Sequence, residues 1–96
     1  MSDKKLSQQK KQAQLDEWKA EVDKFKAKVS GATAEAQLKL KEQIKTLEHK
    51  IEEGKAKLAE IAAAKEDAWE SMKDRVESGW KSLKSGVSDT IAKFKK

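Results

Sequence analysis

Ninety-six residues with no cysteine and no proline, 41% charged and carrying a net charge of +5, set narrow limits on what this chain can be. Without cysteine there are no disulfide staples and no thiolate chemistry, and without proline no position is closed to helix. Leu, Ile, Val and Phe make up under a fifth of the residues, too little to fill a broad core, so the apolar surface must be gathered into a stripe.

More than half of the chain is Ala, Glu, Lys, Leu or Arg, the composition of long helices and coiled coils. The expected fold class is all-α: a long amphipathic helix or a helical hairpin, coiled-coil-like and self-associating. Residues 1–12 read as a polar N-terminal segment. Met1-Ser2-Asp3-Lys4-Lys5 runs into Gln and Lys with no apolar stretch for export or membrane spanning, so a cytoplasmic chain is expected. Residues 13–29 read as a first helix, with Leu15, Trp18, Val22, Phe25 and Val29 at 3-4-3-4 spacing.

Ser30-Gly31-Ala32-Thr33 is the candidate turn, with Gly31 ending one helix and Ser30 or Thr33 capping the next. If Gly31 holds a positive φ there, Gly31→Ala should cost about 1 kcal/mol or more. Residues 34–66 read as a central coiled-coil helix. Leu40 leads by a four-residue step to Ile44, and Ile44, Leu47, Ile51, Leu58 and Ile61 keep heptad spacing. Gly54 falls where another apolar residue would sit and reads as a tolerated helical glycine.

Residues 67–96 read as a third segment with a different period. Trp69, Met72, Val76, Trp80, Leu83, Val87, Ile91 and Phe94 are spaced 3-4-4-3-4-4-3, an 11-residue repeat that keeps a stripe nearly straight on an unstrained helix. Gly79 and Gly86 weaken this segment by about 1 kcal/mol each relative to Ala, which suggests a helix that frays alone and orders on contact. One phase at spacing eleven joins Phe25, Ala36, Leu47, Leu58, Trp69, Trp80 and Ile91. A single helix from residue 34 to 96 would be about 95 Å long. One chain of that shape cannot hide its stripe, so a partner is expected, most simply further copies of itself.

Catalytic and ligand chemistry find little footing. His49 and Glu53 stand four apart on a polar face and would grip a metal only weakly. The carboxylates lie on lysine-rich faces without the apolar setting that tunes a general acid or base, and there is no glycine-rich phosphate loop. No enzyme, cofactor or small-molecule substrate is therefore expected. Residues 1–29 carry 8 Lys against 5 acids, residues 30–66 carry 7 against 7, and residues 67–96 carry 7 basic groups against 5 acids. No run of five like charges supports a nucleic-acid arm. Trp18, Trp69 and Trp80 all fall on the stripe, where they serve either as helix-packing residues or as anchors in a lipid headgroup layer. Lys73, Lys81, Lys84 and Lys93 would snorkel to phosphates in the second case, opposed by Glu70, Asp74, Glu77 and Asp89.

The run Gln14-Leu15-Asp16-Glu17-Trp18-Lys19-Ala20-Glu21-Val22-Asp23, followed by Ala36-Gln37-Leu38, Gln43-Ile44, Leu47, Ala68-Trp69 and Gly79-Trp80, resembles a family of short bacterial coiled-coil proteins. These come mainly from cyanobacteria and proteobacteria and are often described as stress-response proteins. The resemblance spans roughly residues 12–95 and implies a helical, non-catalytic cytoplasmic protein. The 11-residue repeats of residues 69–94 separately resemble those of exchangeable apolipoproteins and of desiccation-protective helical proteins, which implies helix formation on lipid. The expected function is that of a non-enzymatic structural protein, stress-related and self-assembling through its stripe. The alternative is a protein peripheral to a membrane that binds lipid through residues 67–96.

Overall fold

The computed structural model describes residues 3–94, and of Phe94 only the backbone. The chain forms three helices and no strand among these residues: α1 (Asp3–Val29), α2 (Ala34–Ala63) and α3 (Glu66–Phe94). It is all-α, as composition dictates, and it closes as an up-down-up bundle. The principal extents are 53 × 18 × 18 Å, little more than the roughly 45 Å that a 30-residue helix spans. The chain therefore doubles back twice.

The first reversal occupies residues 30–33. Ser30 Oγ donates to Ala27 O at 2.9 Å, and the amides of Gly31 and Ala32 donate to the carbonyls of Lys28 and Val29 at 3.3 and 3.1 Å. Thr33 has extended backbone (φ −65°, ψ 164°), and its hydroxyl accepts from the Ala36 amide at 3.3 Å, which caps α2. Gln37 Nε2 reaches back to Val29 O at 3.1 Å and ties the two helix ends together. No described glycine has a positive φ, so this turn closes without the left-handed residue that the Gly31 argument invoked.

The second reversal is two residues long, Ala64-Lys65, and has neither Gly nor Pro. Ala64 is extended (φ −74°, ψ 138°), while its amide still donates to Glu60 O and Ile61 O. Glu66 and Asp67 open α3, where acidic groups face the positive end of the helix dipole. The segment read as one helix over residues 34–66 thus ends at Ala63, and propensity yields here to packing. Ile61 and Trp69, 0% and 2% exposed, come together with Val76 and Met72 across the bend.

Residues 3–12, read as a polar lead, are the first turns of α1, because their polar side chains have partners on the other helices. Lys4 Nζ donates to Ala64 O, Ser7 reaches Glu77, and Asp3 faces Lys73 at 3.9 Å. The long cluster below holds Leu15, Trp18, Val22 and Phe25 of α1, Ile44, Leu47 and Ile51 of α2, and Trp80, Leu83 and Val87 of α3. One chain thereby hides most of the stripe that seemed to demand a second, because three short helices enclose what a single long one leaves open.

The helices converge at Gly54. A Cβ there would lie 2.7 Å from Leu15 Cδ2, 3.3 Å from Leu83 Cδ2 and 3.5 Å from the Trp80 ring, so the missing side chain lets α1 and α3 close on α2. Gly54→Ala should lower stability by about 1 kcal/mol, as overpacking of about 1–3 kcal/mol outweighs the propensity gain. Gly31 has nothing within 4 Å of its Cβ position and no positive φ, so Gly31→Ala should stabilise by about 0.4–1 kcal/mol. Thermal unfolding of the two variants beside the parent measures both signs.

Candidate interaction surface

The stripe residues now have positions. Leu15, Trp18, Val22, Phe25, Ile44, Leu47, Ile51, Ile61, Trp69, Val76, Trp80, Leu83 and Val87 are buried. Val29, Leu58 and Ile91 are half-buried against the main cluster and Met72 against the smaller one. Leu40 is half-buried near the lower end, and the Phe94 side chain lies outside the described residues. Leu6 and Leu38, which belong to no stripe, are exposed singly.

α2 is the organising helix. It packs closely along α1 and less extensively along α3, while α1 and α3 approach one another sparsely. What joins α1 to α3 is a pair of aromatic rings and a polar knot. Trp18 and Trp80 stack with centroids 5.4 Å apart and planes 19° from parallel, and the Trp80 indole N–H donates to Gln14 Oε1 at 2.5 Å. One turn above, the Lys11 side chain is 5% exposed. Its ammonium donates to Glu77 Oε1 at 2.6 Å and Ser7 Oγ at 2.7 Å and lies 5.5 Å from the Trp80 ring centroid. A buried ammonium persists only with such partners. Burial pushes the Glu77 carboxyl up, but hydrogen bonds from Lys11 and Ser7 and the charges of Lys11 and Lys10 outweigh it and hold the group below its ordinary value. Sequence reasoning missed this knot, since Lys11 stands among Lys10, Gln12 and other polar residues. The only available signal was that Lys11 lies seven residues before Trp18, on the same face.

The three grooves between the helices differ in charge. The middle of the α1/α2 groove is lined by Lys19, Asp23, Lys26, Glu48, Glu52 and Lys55, balanced in sign and bridged by Lys26 to Glu48 at 3.6 Å, while its lower end sets Lys26, Lys41 and Lys45 against Glu48 and its upper end has Lys19 and Lys55 beside Leu58. The α2/α3 side is covered by two lysine stems. Lys50 lies over Gly86 and Lys57 over Gly79, with ammonium nitrogens 2.9 and 3.0 Å from where a Cβ would be. Gly79 and Gly86 accordingly sit in uninterrupted helix. The α1/α3 groove, about 670 Å³, is lined by Lys10, Lys11, Lys81 and Lys84 against one acid, Glu77, with the Trp80 ring at its floor.

Among the described residues, no group of His, Asp and Glu is placed to hold a metal, and no helix is long and apolar enough to cross a membrane. His49 and Glu53 stand exposed 3.5 Å apart on the outer face of α2. The Trp69 indole N–H is buried with no acceptor among the described residues. An unmet buried donor costs about 1–3 kcal/mol, which weakens the hold on the top of α3.

The knot makes a pH prediction. The folded-state pKa of Glu77 is depressed, so its contribution is complete above the unfolded value and is lost as pH falls through the lower folded one. The carboxylate is 54% exposed, which limits this contribution to about 1 kcal/mol or less. Glu77→Gln should lower the melting temperature at neutral pH and flatten the acid limb of a stability–pH curve, whereas Lys11→Met, which removes the buried charge along with its need for a partner, should be near neutral. Compared with family models, curated proteins and solved structures, the chain matches none.

Proposed function

We propose that this is a non-enzymatic, stress-related helical protein that stores its apolar stripe in a closed bundle and assembles with copies of itself by exchanging α3. The observation that carries this reading is the second reversal. Ala64-Lys65 interrupts the helix without a helix-breaking residue, within a run (Ala59, Ala62, Ala63, Ala64) of the best helix former. The stripe holds its phase through the bend, with Leu58 and Trp69 eleven residues apart. If the bend straightens, α2 and α3 join into a helix of about 90 Å, and α3 docks on a second chain.

The energetics favour exchange over simple opening. Releasing α3 into water uncovers Trp69, Val76, Trp80, Leu83 and Val87, at roughly 1.5–3 kcal/mol each, on the order of 10 kcal/mol together. Docking on another copy restores the same contacts between chains, so that cost cancels. The balance is left to the hinge, the entropy of association and concentration. Short connections of this kind favour such exchange.

A second reading has its own support. The orphaned Trp69 indole N–H would be hydrated in a lipid headgroup layer, and the buried face of α3 carries two of the three Trp residues. In that case α3 leaves the bundle for a membrane surface.

Lys65→Pro tests the hinge. The extended backbone of Ala64 suits a residue before proline, and proline at 65 costs a straight helix about 3 kcal/mol or more. The parent should show a concentration-dependent equilibrium between monomer and larger species in sedimentation, and Lys65→Pro should remain a folded monomer. A parent that stays monomeric at every concentration, after refolding at high concentration as well, overturns exchange. Loss of the Trp18–Trp80 near-ultraviolet dichroism on vesicles, with a blue shift in emission, would favour the lipid reading.

A further inference from the structure

We infer that the α1/α3 groove of the closed bundle is a docking site for an acidic amphipathic helix of a partner protein, which completes a fourth position beside the three helices. This goes beyond helix exchange, because it uses the outside of the bundle and leaves the stripe buried.

Three observations converge. The first is charge. Lys10, Lys11, Lys81 and Lys84 face this groove against Glu77 alone, and Glu77 is already engaged by Lys11, whereas the middle of the α1/α2 groove is balanced in sign and its lower end, with Lys26, Lys41 and Lys45 against Glu48, has only Val29 and Ile44 and no aromatic floor. Lys10, Lys81 and Lys84 are exposed and join no ion pair among the described residues. The second is space. α1 and α3 run side by side but meet sparsely, while the lysine stems over Gly79 and Gly86 occupy the α2/α3 side. The third is a fixed floor, since Trp80 is held by its hydrogen bond to Gln14, the Trp18 stack and the Lys11 cation.

A channel between two parallel helices suits a third cylinder, the helix-in-groove mode of recognition. A flat anionic membrane would rest on the ridges and miss the floor. Helical steps along α1 from Gln14 and along α3 from Glu77 lead to Glu17 and Glu21 below the basic stretch and to Asp74 and Glu70 above it, of which Glu21 and Glu70 pair with Lys24 and Lys73. The same acids limit the complementary patch to about two helical turns, so the partner is a helix with carboxylates three or four apart on one face, flanked by small apolar residues that rest on Ala13 and the Trp80 ring. Lysines, as flexible point charges, accept such carboxylates without demanding one geometry.

The test uses the full chain and a fluorescently labelled synthetic helix of about five turns bearing Glu and Ala on one face, at physiological ionic strength. Binding is followed by anisotropy. Lys10→Glu/Lys81→Glu/Lys84→Glu should weaken it roughly tenfold or more, while Lys19→Glu/Lys39→Glu/Lys45→Glu, with the same change in net charge, should change it by less than about threefold. Circular dichroism establishes that both triple variants remain helical. Lys65→Pro should bind like the parent, so failure of exchange and failure of the groove are read separately. Equal weakening by the two triples, no binding by the parent, or binding lost in Lys65→Pro would each overturn the proposal. So would anionic phosphatidylglycerol vesicles or inorganic phosphate depending on Lys10, Lys81 and Lys84 while the peptide does not.

Discussion

The bundle depends on one close approach. At Gly54 the side chains of Leu15, Leu83 and Trp80 converge on a backbone that has no Cβ to keep them away. Because Leu15 and Leu83 reach in this far, Trp80 comes to lie against Trp18, and Gln14 and Lys11 fall within reach of the indole and of Glu77. A larger residue at 54 would separate α1 and α3 at the level where their contact is already thin. The core is too poor in large aliphatic residues to compensate elsewhere, so close packing must replace bulk.

Much of this was legible in the sequence, and what was not has a physical reason. Helix content followed from composition, and the stripe residues followed from periodicity, since a residue on the apolar face of a helix points inward whichever helix it meets. The turn at residues 30–33 carried its own signal in Thr33. The bend at Ala64-Lys65 carried almost none, because Ile61 and Trp69 are eight apart and share a face whether the helix continues or reverses. Only the acidic pair Glu66-Asp67 marked a new helix start. Gly54 is the helical glycine that was expected, but its packing role was hidden for a related reason. In one dimension it is a gap in a heptad, and only the arrival of two further helices makes that gap a contact. The Lys11 knot was invisible because burial of a charge is decided by partners 66 residues away.

The fold gives the chain two separable kinds of surface. The inner face is apolar, continuous and reached only when a helix leaves the bundle. The outer face is polar and always present, yet uneven, with one groove balanced only at its middle, one covered by lysine stems and one basic over an aromatic floor. Charge that sums to only +5 over the chain therefore becomes directional once three helices are laid together.

The two lysines lying over glycines on the α2/α3 side act as a vernier. Lys50 and Lys57 are seven apart, as are Gly79 and Gly86, and the helices are antiparallel, so both pairs align in a single setting. Sliding α3 by one heptad keeps one lysine over a glycine but sets the other against Met72 in one direction and Lys93 in the other. The first meeting is a steric block and the second a repulsion between like charges. An apolar stripe that repeats every few residues would accept several offsets almost equally well, and these small missing side chains select one of them.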